Sequence, residues 1–358
     1  EVILPIEIDS GKEVKSFDYK RYLHTKEIVG SMVYPSIEKI GEKQDSLLYK
    51  LYSLKQKSLD VINEKIPTPE NALAAGVLLG TDTLPNENKE AIRVASLSHI
   101  TVLSGFNVAI IVAAVLFLLR FLPFYLKICI SGMLVTLFVL MTGGGASLIR
   151  ATLMAYVGLL ALVLGRKYDA LTSLFFALLV YVCITPEAVL YDVSLQLSFL
   201  ATLGIILLYD DVYSLLTKYV HYKSVLAILA TTIAVMIYTS PFLLYTFGTF
   251  SLYGIVANVI ALPLVPLLMA STFVLIITSF IPLVSHLFAF ISYILSTLIL
   301  FISKIISLLP FATLSITISS IAMFIIYGII LGVTVYIHYK KSVRTIRVSD
   351  EDPTLVSF

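Results

Sequence analysis

Along residues 1–40 polar and apolar positions alternate, as in VILPIEI, FDYKRYL and IVGSMVYPSIEKI. A period of two, broken at Ser-Gly and Tyr-Pro, predicts short strands joined by turns. The period then changes. Over 44–66 the residues Leu47, Leu48, Leu51, Leu54, Leu59 and Ile62 recur at helical spacing with Lys and Glu between them, and Pro67 and Pro69 follow. That pattern predicts an amphipathic helix ended by the prolines. A short Ala-rich helix is predicted over 70–79, a turn over 80–86 and a charged helix over 87–96. Residues 44–98 thus read as a helical platform lying on a membrane surface. Beyond residue 98 long apolar stretches take over. Nine apolar segments are predicted, at 100–119, 124–141, 148–164, 171–184, 193–208, 225–247, 252–280, 283–309 and 311–336. Most approach the ~20 residues that a helix needs to cross a bilayer. The fourth is short, and the seventh is long and contains Pro263 and Pro266. Irregular segments of this kind are common where a bundle encloses a substrate path.

Composition strengthens the membrane reading. The chain has 358 residues, of which 58% are hydrophobic and 13% charged. Its mean hydropathy is +0.96. A soluble protein carries about 25% charged residues. From 224 to 338, roughly 115 residues, Lys304 is the one charged side chain. A net charge of +2 gives no footprint for a nucleic-acid partner. Cys129 and Cys183 sit in apolar runs and read as free, core-like cysteines. The tail carries Lys340, Lys341, Arg344 and Arg347, which the positive-inside rule places in the cytoplasm. Residues 339–358 read as a linker. The chain opens in what reads as mid-strand, so it is expected to be a piece of a longer protein.

Four polar insertions interrupt the apolar region. The first is LSHITVLSGFNV, with His99, Ser104, Gly105 and Asn107. Ser-Gly inside an apolar helix permits a break, and broken backbone in lipid is tolerated where it is buried in protein or lines a wet cavity. This stretch is expected to form the polar lip of such a cavity. The second is TGGGASLIR, in which Gly143, Gly144 and Gly145 precede a helix and Arg150 lies inside it. Consecutive glycines can offer backbone N–H groups to an anion, and a membrane Arg faces protein or water. The third is Asp192 with Gln196, four residues apart and so on one helix face, with Arg150 as the natural partner of the carboxylate. The alternative for Asp192 is a cap on the helix that follows. The fourth, Asn258, reads as structural glue between helices. Asp169 reads as an ordinary loop charge.

The sequence carries no HExxH, no Walker A motif, no zinc spacing and no carboxylate cluster suited to two metals. No enzymatic activity and no cofactor are therefore expected of this chain. A carrier for a small anionic or lipid-linked substrate would use the same arginine and broken helices, and stands as the alternative to a channel.

The run ALAAGVLLGTDTLPNENKEAIRVASLSHITVLSGFNVAII resembles the start of the membrane domain of the ComEC family, bacterial DNA-uptake channels. The likeness continues in order through TGGGASLIRATLMA, LGRKYDALTSL, PEAVLYDVSLQLSFLATLGI and ANVIALPLVP. Upstream, FDYKRYLHTKEIVGSMVY is similar to the end of the OB-like domain that precedes the family's channel. In the family's SGLH pattern a second histidine stands where this chain has Asn107, so the resemblance implies pore lining here and not catalysis. The family often carries a further metallo-β-lactamase-like domain, whose HxHxDH motif this chain lacks.

The resemblance implies a mainly α fold: a polytopic helical membrane bundle with broken or re-entrant helices, preceded by the end of a small β domain of OB type. The expected divisions are 1–43 for the β domain, 44–98 for the platform, 99–338 for the transmembrane domain and 339–358 for the tail. It implies a multi-pass protein of the inner membrane that passes single-stranded DNA to the cytoplasm during natural transformation. The implied partners are the DNA strand, membrane lipid, a cytosolic ATPase or helicase, DNA-binding competence proteins and a separate nuclease domain. On this reading His99, Ser104, Gly105 and Asn107 form the lip. Gly143, Gly144, Gly145 and Arg150 meet phosphates, and Asp192 and Gln196 orient Arg150.

Overall fold

A computed structural model describes residues 46–101, 103 and 105–351. The strands expected over 1–43, Ser104 and the end of the tail lie outside the described residues. The described residues are mainly helical, as expected. The elements in order are α1 (Leu47–Lys65), α2 (Glu70–Leu79), α3 (Asn86–Val94), α4 (Ser98–Thr101), α5 (Gly105–Leu118), α6 (Phe124–Thr142), α7 (Ala146–Val163), α8 (Ala170–Ile184) and α9 (Ala188–Tyr191). There follow α10 (Val193–Leu216), α11 (Lys223–Thr246), β1 (Thr249–Ser251), α12 (Gly254–Ala261), α13 (Leu264–Ile277), α14 (Pro282–Ser307), β2 (Thr313–Ser315) and α15 (Ser320–Glu351).

Local chemistry sets the boundaries. α1 stops at Ile66, ahead of Pro67 and Pro69. Gly80 closes α2 in the left-handed conformation, at φ 70°, where its amide bonds back to Gly76. Asp169 is more than a loop charge: its carboxylate accepts the Thr172 amide and caps α8. The segment expected as one long span over 252–280 is a bent pair, α12 and α13, broken at Leu262–Pro263. Proline has no N–H to continue the ladder, which is the physical reason for the break.

Among the described residues five helices are long and apolar enough to cross a membrane: α6, α10, α11, α14 and the part of α15 up to Lys340. The pair α12 and α13, bent by 41°, has the apolar length of a sixth, as one broken span or as a re-entrant loop. The protein is a multi-pass membrane protein. The remaining predicted spans, at α5, α7 and α8, are shorter apolar helices. Each is apolar but shorter than the 18 described residues of a full-length span.

The chain divides into two compact units. The first comprises the described chain up to Glu90, Ser98–Phe199 and Pro263–Phe301. Within it α5, α6 and α7 pack on one another, and α7 packs on α8. Ala72 to Leu79 of α2 are all buried, against α1 and α13. A polar seam joins α13 to α14: Ser292 donates to Ser271 Oγ at 2.8 Å and accepts from Thr272 at 3.3 Å. Small residues let the backbones approach, and the hydroxyls satisfy one another. At the edges of this seam Lys65 Nζ donates to Ser285 Oγ at 2.6 Å, and Thr297 Oγ1 to Glu70 Oε1 at 3.2 Å.

The second unit comprises Ala91–Leu97, Leu200–Leu262 and the described chain from Ile302. Here α11 packs on α12, α15 and β1. β1 and β2 form a short antiparallel ladder with Phe250 opposite Leu314. Tyr238 is buried between helices, its hydroxyl 3.2 Å from Thr334 Oγ1. Asn258 is also buried in this unit. Cys129 and Cys183 are free, as expected, but both are exposed and not in the core. A lipid-facing helix surface is as apolar as a protein interior, so an apolar neighbourhood in sequence does not distinguish the two.

Candidate functional site

Three of the four polar insertions converge in the first unit. The lip stretch and the glycine stretch meet through packing: Leu103 and Val108 form one buried cluster with Leu148 and Val135, joined by Ala151. The Arg150 guanidinium lies against Gly105, its Nη2 3.4 Å from where a Cβ on that glycine would stand. A Cβ at 105 would meet the arginine, and Ala151, at ordinary contact distance. Arg150 is only 7% exposed and is the one charged residue of its helix. A charge this deep is expensive unless the surrounding protein or water solvates it.

The glycine stretch is a tight elbow between α6 and α7. Gly143 and Gly144 adopt φ of 96° and 61°, which side chains disfavour. The Gly143 amide closes α6 by donating to Val139 O at 3.1 Å, so it does not face outward to an anion. Gly145 is the residue before α7 and accepts the Leu148 and Ile149 amides. Gly143 and Gly145 are exposed at the surface of the unit.

The third insertion adjoins this elbow. Ser147, in the first turn of α7, and Ser194, in the first turn of α10, bring their hydroxyls to 3.5 Å. Asp192 precedes α10 and is 2% exposed. Its Oδ1 accepts the Ser194 amide at 2.9 Å and the Leu195 amide at 3.2 Å. This is the capping geometry weighed in the sequence, and it places Asp192 before the helix and not on a face shared with Gln196. Gln196 reaches back instead, donating from Nε2 to the carbonyls of Val189 and Leu190 at 2.7 and 3.1 Å. It thereby ties the end of α9 to the start of α10.

The lip is divided. His99 is exposed, on the single turn α4. Asn107 is buried at 1% exposure and donates from Nδ2 to the Val77 carbonyl of α2 at 3.0 Å. Its side chain fastens α5 to α2.

Lys55 is a neighbour that the sequence pattern did not single out. Its Nζ donates to the Thr142 carbonyl at 3.2 Å, at the C-terminal end of α6 and next to the glycine elbow. A cation at the negative end of a helix is favourable. Partial burial holds the Lys55 ammonium below its ordinary pKa of 10.5. The only signal in the sequence was its position on α1; nothing local connected it to residue 142. The elbow thus adjoins Lys55, through Thr142, and the hydroxyls of Ser147 and Ser194, while Arg150 lies further along α7, buried against Gly105.

A family model described as Competence protein matches residues 77–341, most of the chain. The chain belongs to the ComEC family of competence proteins. ComE operon protein 3 of Bacillus subtilis (strain 168) is 23% identical over 264 residues, a stretch that covers 69% of this chain and 31% of that protein. The chain thus spans about a third of the length of this curated relative. No solved structure matches it. The competence match begins at Val77, the residue whose carbonyl receives Asn107. It includes Gly105, Arg150, Asp192 and Gln196, while Lys55 and α1 precede it.

Proposed function

We propose that this chain takes part in DNA uptake as the membrane path of a channel in the inner membrane, passing single-stranded DNA toward the cytoplasm during natural transformation. Family membership supports the process, and the burial of Arg150 beside Gly105 supports the path. A phosphodiester strand cannot cross hydrocarbon, so polar groups must replace its water. The replacement must also be weak, because a site that binds too well stalls conduction. A single arginine behind a glycine elbow, with Lys55 at its rim, meets both conditions better than a row of lysines would. Asp192 and Gln196 act by holding α10 against the elbow, and Asn107 by fixing α5 on α2. On this reading the segment conducts and does not cleave. The energy source, a cytosolic ATPase or helicase, and the nuclease are separate domains or proteins, and DNA-binding competence proteins act beside them.

The test is transformation in a strain whose copy of this protein carries Arg150→Ala. Loss of one charge-assisted contact of ~1.5–3 kcal/mol to a moving phosphate lowers the rate by about 10–100-fold. Membrane insertion, checked by fractionation, should be unchanged, and Arg150→Lys should recover part of the loss. Normal uptake of labelled single strands by the Arg150→Ala strain would refute the assignment.

A further inference from the structure

The first half of α1 is a second surface with chemistry of its own. Within eight residues it exposes Leu47 (57%), Leu48 (55%), Tyr49 (41%), Tyr52 (63%) and Leu54 (53%). From Ser46 to Leu59 there are three lysines, Lys50, Lys55 and Lys57, and no carboxylate. Lys50 and Lys57 are exposed and seven residues apart, so they lie on one side of the helix with Leu54 between them. A shallow groove of about 500 Å³ runs beside them, lined by Leu48, Tyr49, Tyr52, Ser53 and Gln56. In water this many apolar side chains would be costly to leave open. In the hydrocarbon core the lysines would be.

The position of α1 resolves the conflict. Lys55 is bonded to the last carbonyl of α6, Thr142 O. α6 has 19 residues, about 28 Å of helix, which matches the ~30 Å hydrocarbon layer. Lys55 therefore stands at one boundary of that layer. The opposite end of α6 carries its own interfacial belt. There the Arg120 guanidinium lies 4.5 Å from the Phe117 ring and 4.7 Å from the Phe121 ring, and Lys127 lies 5.7 Å from Phe124.

We infer that the N-terminal half of α1 is a docking surface for anionic phospholipid, with Leu48, Tyr49 and Tyr52 set into the headgroup layer and Lys50 and Lys57 paired with lipid phosphates. Charge complementarity selects the lipid class: three lysines ahead of Asp60, the first carboxylate of α1, favour anionic over zwitterionic headgroups. Tyrosines with an apolar body and a polar tip suit the same depth. The inference stands on the placement of α1 and is independent of what passes through the protein.

The chain contains no tryptophan, so Tyr52→Trp creates a single optical reporter in the full chain. Leu48→Trp supplies a second reporter should the first variant fold poorly. The purified chain is reconstituted into phosphatidylcholine vesicles and into vesicles with an equal share of phosphatidylglycerol. The expected result is blue-shifted emission that is quenched by lipids brominated near the glycerol end of the acyl chain. Quenching should be stronger with phosphatidylglycerol, and that increase should vanish when Lys50→Gln and Lys57→Gln are added. Emission typical of water, quenched by iodide, would overturn the inference. So would a reporter shielded from both quenchers, which would mean that residues 1–45 or a second copy of the chain covers the groove. Quenching indifferent to phosphatidylglycerol would overturn the choice of an anionic lipid.

Discussion

Asn107 shows how a residue can be noticed in the sequence for one reason and placed in the structure for another. It stood out because an amide interrupts an apolar run and occupies a position where the family carries histidine. In the fold it is buried and donates to the Val77 carbonyl across two helices. The type of residue was legible; the partner was not, because a contact across 30 positions leaves no mark on local periodicity. Asn107→Leu should leave that carbonyl without its donor in a dry environment, at a cost of about 1–2 kcal/mol. A lower thermal midpoint in detergent would report it. Asn107→His keeps a ring N–H and should recover much of the midpoint if the imidazole reaches Val77. An unchanged midpoint in the leucine variant would show that the bond contributes nothing to stability. Arg150 was legible for a stronger reason. A guanidinium inside an apolar helix is costly wherever it sits, so its presence alone marks a place where protein or water must meet it.

At the scale of elements, ends were read better than partners. Pro67, Gly80 and Pro263 mark boundaries through their own backbone chemistry, and the structure breaks near each of them. The seam of Ser271, Thr272 and Ser292 was not read, because small hydroxyl residues in a span look like weak apolar filler until a second helix is laid against them. Asp192 lies between these cases. Its sequence allowed a charge partner for Arg150 or a cap; Oδ1 accepts the Ser194 and Leu195 amides as a cap does, a role that does not exclude the other. The two roles separate by substitution. Asn caps as well as Asp does, whereas Ala forfeits ~0.5–2 kcal/mol. If capping is the role in DNA uptake, Asp192→Asn should transform at near the parental frequency and Asp192→Ala should fall well below it. Equal loss in both variants would return the carboxylate's charge to the centre of the mechanism.

For the whole molecule, the class was plain from hydropathy, while the lengths of the apolar helices were not. A window of apolar residues does not fix where a helix ends, and α5, α7 and α8 are shorter apolar helices with exposed apolar side chains. Apolar surroundings in sequence also misplaced Cys129 and Cys183, which are exposed on the outside of apolar helices. That exposure is to lipid if the helices are set in a membrane, and it makes a prediction about orientation. A membrane-impermeant maleimide should leave both native cysteines unlabelled until the protein is denatured, since the reagent and the thiolate both need water. With both replaced by alanine, a single cysteine introduced by Phe121→Cys or by Gly145→Cys reports the two ends of α6. Phe121 is 82% exposed beside the Arg120 belt, and Gly145 is exposed at the glycine elbow. Because about 28 Å of α6 separates these ends, they should be labelled from opposite sides of the membrane. Labelling of both from one side would mean that α6 does not cross. The elbow would then not be a mouth at the far surface, and the path assigned to Arg150 would lose its geometry.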